Sequence, residues 1–315
     1  HAKCDDRYLV ILSIAELKVE METRLLQALQ QPLLAYSDIE IFRQQMAASL
    51  KQSSLGQGSP QQTAFFLGAQ SATPGMAFLA GYQAALRCLD PLCQNDHFAA
   101  FCVSEKGIKK PWDMETQLLK TESAWQLNGR KGFVMLVPDT IDQLYVVAKR
   151  SDGSLSCVQL AADSVGITIG EPLSAPFVKD IPHAGIHFDN VIISNEQILT
   201  ADAHQQANKP FRYWEDVHVT LAMAGWMLRQ LAEIEEFETS KVLLLEKICQ
   251  LIEKFEEQPD YYSVEGLDIV NECHKLLEIQ SKNLGAEALK LWQIDRLLLQ
   301  MGLKIRQQIR LKLVS

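Results

Sequence analysis

The apolar positions follow a helical period at the start of the chain. From residue 8 to 50, Leu and Ile recur at mixed three- and four-residue steps, which predicts helix over this range. The stretch 8–30 contains neither Gly nor Pro. A polar loop rich in Ser and Gly follows over 51–62. The chain therefore begins with a helical segment that ends in a loop.

A second helical stretch covers residues 64–89, and Pro74 and Gly75 predict a break or bend within it. Small residues over 67–81 predict close packing of this stretch against another helix.

The pattern changes near residue 98, where short β-type runs separated by turn residues replace the helical period. The connectors NGRKG and RSDGS place Gly or Asn where a hairpin turn needs positive φ. About seven such runs in about 100 residues predict an antiparallel barrel or sandwich.

The helical period returns from Phe211 onward, and a last helix is predicted over 285–313. The predicted fold class is α+β and multidomain. It has an N-terminal α-helical domain over 1–97, a central antiparallel β-barrel or sandwich over 98–200 and a C-terminal helical bundle over 201–315.

Composition narrows the classes of function. The 315 residues are 47% hydrophobic, and the net charge of -9 argues against a nucleic-acid partner, which a basic surface would bind. No apolar run reaches the length of about 18 residues that a membrane helix needs, and no signal peptide is visible. The seven cysteines contain no CxxC motif, so neither a zinc site nor a disulfide framework is predicted. A cytoplasmic globular protein is expected.

Four ordered motifs of the β-rich region carry a family resemblance. They are FCVSEKG (101–107), AWQLNGRKGFVML (124–136), LYVVAKRSDGSLSCVQL (144–160) and GIHFDNVIISNEQIL (185–199). Together with the order of helices, strands and helices, they resemble the acyl-CoA dehydrogenase family. That family combines an α-helical domain, a β domain and a four-helix bundle.

The resemblance implies a flavin-dependent oxidoreductase that holds FAD and dehydrogenates an acyl-CoA-type thioester at its α,β-carbons. A carboxylate would remove the α-proton, and hydrogen bonds to the thioester carbonyl would stabilise the developing enolate. The implied partners are an acyl-CoA-like small molecule, further copies of the chain in a dimer or tetramer, and an acceptor of the electron-transfer flavoprotein type.

The resemblance places cofactor contacts at the end of the FCVS strand and in the GFVM run. Ser104 matches a Thr that holds the flavin, and backbone groups of Phe101 and Val103 would flank the same ring. Phe133 matches a Trp that packs on the cofactor. Met135 matches a Thr that hydrogen-bonds near flavin N5, and its thioether cannot donate a hydrogen bond.

The resemblance ends after Glu105. The family's residue at this position supports a turn, so Glu105 is expected to have a structural role. The family's Gly-Ser turn is replaced by KGIKKPW. Lys106, Lys109 and Lys110 could bind phosphate through charge, or they could form a solvated basic loop.

The resemblance also supplies a candidate catalytic base. In some members a Glu stands at the start of the first bundle helix, ahead of a Gly, and Glu215 precedes Gly225 by the matching interval. The Arg that follows the Glu in that motif is replaced by Asp216. The alternative is a charged helix start, since acidic side chains are favoured in a first turn.

Two functions remain open at this point. The first is the dehydrogenase with Glu215 as its base. The second is a non-catalytic relative that keeps the fold, binds FAD weakly or not at all, and acts as a binding or assembly subunit. Met135 and the replaced Gly-Ser turn favour the second, whereas Ser104 and Glu215 favour the first.

Overall fold

A computed structural model of the chain describes residues 14–55, 58–108, 110–135, 140–232 and 238–314. The first residues of the helix predicted over 8–50, and Lys109 of the basic loop, lie outside these ranges.

The N-terminal region is helical, as predicted. Its helices are α1 (Ile14–Leu29), α2 (Ile39–Ser54), α3 (Pro60–Gln70) and α4 (Pro74–Leu89). The single helix predicted over 8–50 is wrong, because α1 ends before Pro32, whose ring cannot continue a helix. The predicted break near Pro74 is confirmed, since a new helix starts there and the Thr73 hydroxyl caps it by accepting from the Met76 N–H.

The central region folds into one eight-stranded sheet. Its strands are β1 (Ala99–Cys102), β2 (Gln117–Lys120), β3 (Trp125–Met135), β4 (Gln143–Lys149), β5 (Leu155–Ala161), β6 (Ile167–Pro172), β7 (His183–Ile193) and β8 (Ile198–Thr200). They follow the order β6-β7-β3-β2-β4-β5-β8, and β1 pairs with β4.

The sheet is mixed rather than wholly antiparallel, because β4 runs parallel to both β1 and β2. The connection explains the parallel pairing of β1 and β4. Between these two strands the chain passes through β2 and β3, and such a crossover brings β4 back beside β1 in the same direction.

The C-terminal region is helical, as predicted. Its helices are α5 (Lys209–Gln230), α6 (Glu238–Glu257), α7 (Val264–Gln280), α8 (Ala286–Asp295), α9 (Leu297–Met301) and α10 (Leu303–Val314). The single last helix predicted over 285–313 is therefore wrong, because it divides at Arg296 and Gly302. The domain boundaries at 97/98 and 200/201 stay predictions. No helix among the described residues is both long and apolar enough to cross a membrane.

Helix α5 packs against α3 and α4 with its backbone in close contact. A Cβ atom added at Gly68 would lie 2.1 Å from the Ala222 carbonyl oxygen, and one at Gly81 would lie 2.6 Å from the Val219 Cα. The close packing predicted from the small residues over 67–81 is confirmed. This packing fixes the position of α5, which carries Glu215.

We expect Gly225→Ala to destabilise the fold. The added Cβ would lie 2.2 Å from the Phe65 carbonyl oxygen, so α3 and α5 must separate. Overpacking of this kind costs about 1–3 kcal/mol of unfolding free energy, which urea denaturation measures. Gly132→Ala is the control, because a Cβ at Gly132 meets no atom within 4 Å. Equal losses in the two variants would contradict the packing argument.

Candidate active site

A cavity of about 620 Å³ lies between the sheet and helix α5. Its size is that of a small-molecule or cofactor site. All six residues that the sequence singled out as catalytic or cofactor-binding line it: Phe101, Val103, Ser104, Phe133, Met135 and Glu215. Two distant parts of the chain, the β-rich region and the first helix after it, therefore meet at one site.

The end of β1 forms one wall, and helix α4 holds it in place. The Phe101 N–H donates to the Tyr82 hydroxyl oxygen at 2.8 Å, and the Phe101 ring packs on Phe211 of α5 with centroids 4.7 Å apart. The Ser104 carbonyl oxygen accepts from the Gly132 N–H at 2.9 Å, which joins the strand end to β3. The exposed Ser104 side chain is thus presented at the cavity by a fixed backbone.

Glu105 supports this strand end, as predicted. Its carboxylate accepts from the Lys131 ammonium at 2.7 Å and from the N–H groups of Glu115 and Thr116 at 2.7 and 3.2 Å. Burial acts to raise the pKa of Glu105, but Lys131 and these N–H donors outweigh it and hold the pKa below its ordinary value. Lys131 also donates to the Val103 carbonyl oxygen at 3.3 Å.

Strand β3 supplies the second wall, at an irregularity between Lys131 and Val134. Phe133 lies there at φ 52°, a left-handed conformation that is uncommon for a bulky side chain. Its ring is 59% exposed although it lines the cavity. Strained conformations of this kind occur at ligand-binding sites, and the ring has a face available to a ligand.

The register of β3 and β7 places His183 opposite Met135 in the cavity wall. His183 is 6% exposed, and burial lowers the pKa of its imidazole. Its Nδ1 lies 2.8 Å from the Ile181 carbonyl oxygen, which can only accept, so Nδ1 carries the hydrogen. In the neutral ring, Nε2 is then a hydrogen-bond acceptor.

Glu215 lies in the α5 wall, half-buried and beside Asp216. Burial, assisted by the Asp216 charge and opposed by Arg212, raises the pKa of Glu215 to about 7. Among the described residues, the Glu215 carboxylate has no hydrogen-bond or ion-pair partner. A half-buried carboxylate in this state can exchange a proton with a ligand near neutral pH.

The sequence did not single out several other residues of the cavity. Tyr82 of α4 and residues 175–178 line it, as do Leu298, Leu299, Met301 and Gly302 near the end of the chain. No group of His, Cys, Asp or Glu in the described part of the chain could hold a metal ion.

The basic loop takes no part in this cavity within the described residues. Lys106 and Lys110 are exposed and do not line it. Their positions favour the solvated loop over the phosphate site.

Comparisons with known proteins agree with the architecture. No protein-family model matches the chain, and no curated protein matches it by sequence. Among solved structures, the prolyl acyl carrier protein oxidase AnaB matches with a TM-score of 0.71 and 14% identity, covering 95% of this chain and 98% of that one.

Two further solved structures agree. The FAD complex of PigA has a TM-score of 0.66 and 17% identity, covering 95% of this chain and 94% of that one. Butyryl-CoA dehydrogenase from Megasphaera elsdenii has a TM-score of 0.65 and 13% identity, covering 92% and 97%. The match extends over nearly the whole length in each case, and the chain therefore has the fold of the acyl-CoA dehydrogenases.

Proposed function

We propose that the chain binds FAD in this cavity and dehydrogenates an acyl thioester at its α,β-carbons, with Glu215 as the base. The observation that carries the proposal is the Glu215 carboxylate, which has no partner among the described residues and lines the same cavity as the β1 strand end and the exposed ring of Phe133. The FAD complex of PigA and butyryl-CoA dehydrogenase, which share the fold, support the proposal by analogy.

The residues present fit a planar aromatic cofactor. Phe133 offers a free aromatic face, and the cavity is lined further by the rings of Phe78, Phe177 and Phe211. The Ser104 hydroxyl, together with those backbone groups of Phe101 and Val103 that Tyr82 and Lys131 do not already engage, would hold the polar edge of the flavin. FAD, when bound, supplies the two-electron acceptor for the hydride that leaves the β-carbon.

The protein's own contribution is the proton transfer and the orientation of the thioester. Glu215 accepts the α-proton, and its pKa of about 7 suits a base that works near neutral pH. Tyr82 is suited to donate to the thioester carbonyl. Its oxygen already accepts from Phe101, and no acceptor among the described residues takes its hydroxyl hydrogen, which is thus available to a ligand. Burial raises the pKa of Tyr82, so the phenol stays protonated.

We expect the purified protein to bind one FAD per chain, which absorbance near ~450 nm and fluorescence titration measure. Phe133→Ala should weaken the affinity for FAD about 3- to 10-fold, because it removes one aromatic contact. Trp112→Ala is the control, since Trp112 is an exposed aromatic residue outside this cavity. Protein that stays colourless with excess FAD, or equal losses in both variants, would contradict the proposed site.

The substrate is tested by anaerobic bleaching of the FAD-loaded protein with acyl thioesters. Both acyl-CoA and acyl carrier protein substrates should be supplied, because the fold is shared with a butyryl-CoA dehydrogenase and a prolyl acyl carrier protein oxidase. Light scattering tests the proposed dimer or tetramer. Reoxidation by an electron-transfer flavoprotein tests the proposed acceptor.

The second candidate is a non-catalytic protein of the same fold, and Met135 favours it. At this point of the wall the thioether cannot donate a hydrogen bond, and the neighbouring neutral His183 offers an acceptor at Nε2. FAD that binds but is not bleached by any thioester would favour this alternative.

A further inference from the structure

A buried polar cluster lies beside Glu215, where α5, α7 and the corner between α9 and α10 meet. Arg306 is 1% exposed, and its Nη1 donates to Asp216 Oδ1 at 2.9 Å. The Tyr262 hydroxyl donates to the other carboxylate oxygen of Asp216. Both oxygens of Asp216 are therefore engaged, whereas those of the adjacent Glu215 have no partner in the part of the chain that the structure describes.

The hydrogen bonds of the cluster have a defined direction. Arg306 Nη2 can only donate, so His274 Nδ1 accepts from it at 3.2 Å and His274 Nε2 carries the hydrogen. Nε2 then donates to Thr220 Oγ1 at 2.8 Å, and the Thr220 hydroxyl donates to the Asp216 carbonyl oxygen at 2.6 Å. Burial and Arg306 lower the pKa of His274 to about 3, which keeps its ring neutral.

The same cluster shapes the cavity wall. Arg306 Nη2 also donates to the Leu299 carbonyl oxygen at 2.8 Å, and Leu299 and Gly302 line the cavity. A Cβ atom at Gly302 would lie 2.5 Å from Arg306 Nη1, so the guanidinium packs directly against the corner of α9 and α10. Arg306 thus joins this corner to Asp216 on α5.

We propose that Asp216, held by Arg306, is a positioning residue for Glu215. Through Arg306 it joins the C-terminal segment, whose Leu299 and Gly302 line the cavity, to the helix that carries Glu215, and it places a negative charge next to Glu215 in the chain. This inference rests on the proposed role of Glu215 as the base.

The other titratable groups that line the cavity together with Glu215 and Asp216 are Arg212, Tyr82 and His183. Arg212, on the same helix, is exposed and acts in the opposite direction. Tyr82 of α4 is neutral because burial raises the pKa of its phenol. His183 of β7 is neutral because burial lowers the pKa of its imidazole. Asp216 is the only one of these four groups that carries a negative charge.

The test is a pH titration of Glu215 by NMR in protein labelled with [δ-13C]glutamate, without FAD or substrate. Glu215→Gln assigns the resonance. In the wild type we expect a midpoint near 7. In Asp216→Asn the midpoint should fall below the wild-type value, because one of the negative charges that raise the pKa of Glu215 is removed. Because this variant leaves the buried Arg306 without a counter-charge, and an unpaired cation would itself lower the pKa of Glu215, Asp216→Asn/Arg306→Met is titrated as well and should still show a fall, smaller than that of the single variant.

Asp268→Asn is the matched control. It also removes one negative charge from a pair between α7 and α10, where Asp268 Oδ1 accepts from Arg310 Nε at 2.8 Å, but this pair lies outside the cavity. The titration midpoint of Glu215 in Asp268→Asn should equal that in the wild type. An unchanged midpoint in the Asp216 variants, or an equal fall in Asp268→Asn, would overturn the inference. If the midpoints shift as expected but no thioester bleaches bound FAD, the proposed function fails and the positioning of Glu215 stands.

Discussion

Replacing Glu215 with Gln is expected to lower the rate of acyl-thioester oxidation by about 10²–10⁴-fold, the range that a positioned general base contributes. The amide keeps the shape of the side chain but cannot take a proton. FAD affinity should stay within about twofold, because the proposed cofactor contacts lie on Ser104, Phe133 and the β1 backbone. Thermal stability should not fall, since the substitution removes a carboxylate that burial disfavours. Anaerobic stopped-flow bleaching measures the rate.

The pH profile provides an independent check. A base must be deprotonated to act, so the wild-type rate should rise as the pH increases through about 7, the pKa of Glu215. Glu256→Gln is the control, because Glu256 is an exposed carboxylate on α6 outside the cavity. Full activity in Glu215→Gln would remove this residue from its proposed role, and so would equal losses in both variants.

The two walls of the cavity were predictable because each is encoded over a short stretch of sequence. An apolar strand that stops at Ser104 and a helix that carries Glu215 ten residues before Gly225 are local patterns. Their meeting in one cavity follows from the fold that the motifs imply. The chemical roles of these residues remain predictions that the experiments above test.

The rest of the site depends on contacts between distant segments, which one sequence does not specify. In the sequence, Asp216 is notable only because the acyl-CoA dehydrogenase motif has Arg at this position. Its partner Arg306 lies 90 positions further on. With 30 Lys and Arg and 39 Asp and Glu in the chain, nothing local selects that pair. The placement of His183 beside Met135 depends likewise on the register of β3 and β7, which becomes known only with the sheet topology.

Lys131→Met is expected to lower the free energy of unfolding by about 3–5 kcal/mol, because it leaves the Glu105 carboxylate buried without its counter-charge. The side chains of Lys131 and Glu105 are 0% and 6% exposed, and their charged atoms are 2.7 Å apart. The substitution also removes the donor to the Val103 carbonyl oxygen. Urea denaturation at pH 7 measures the loss. The β1 strand end should loosen with it, which would appear as faster hydrogen exchange at Val103 and Ser104.

Lys247→Met is the matched control, because Lys247 pairs with Glu272 at 2.6 Å with both side chains partly exposed. It should lower the free energy of unfolding by less than about 1 kcal/mol.

The pH dependence of the unfolding free energy adds a second criterion. The pKa of Glu105 is lowered in the folded state, so the ion pair stabilises the fold above the unfolded-state pKa of about 4.3. That stabilisation is lost as the pH falls through the folded-state value. The difference between wild type and Lys131→Met should therefore shrink in acid, and a difference that stays constant down to acid pH would show that the lysine stabilises the fold by packing rather than by its charge.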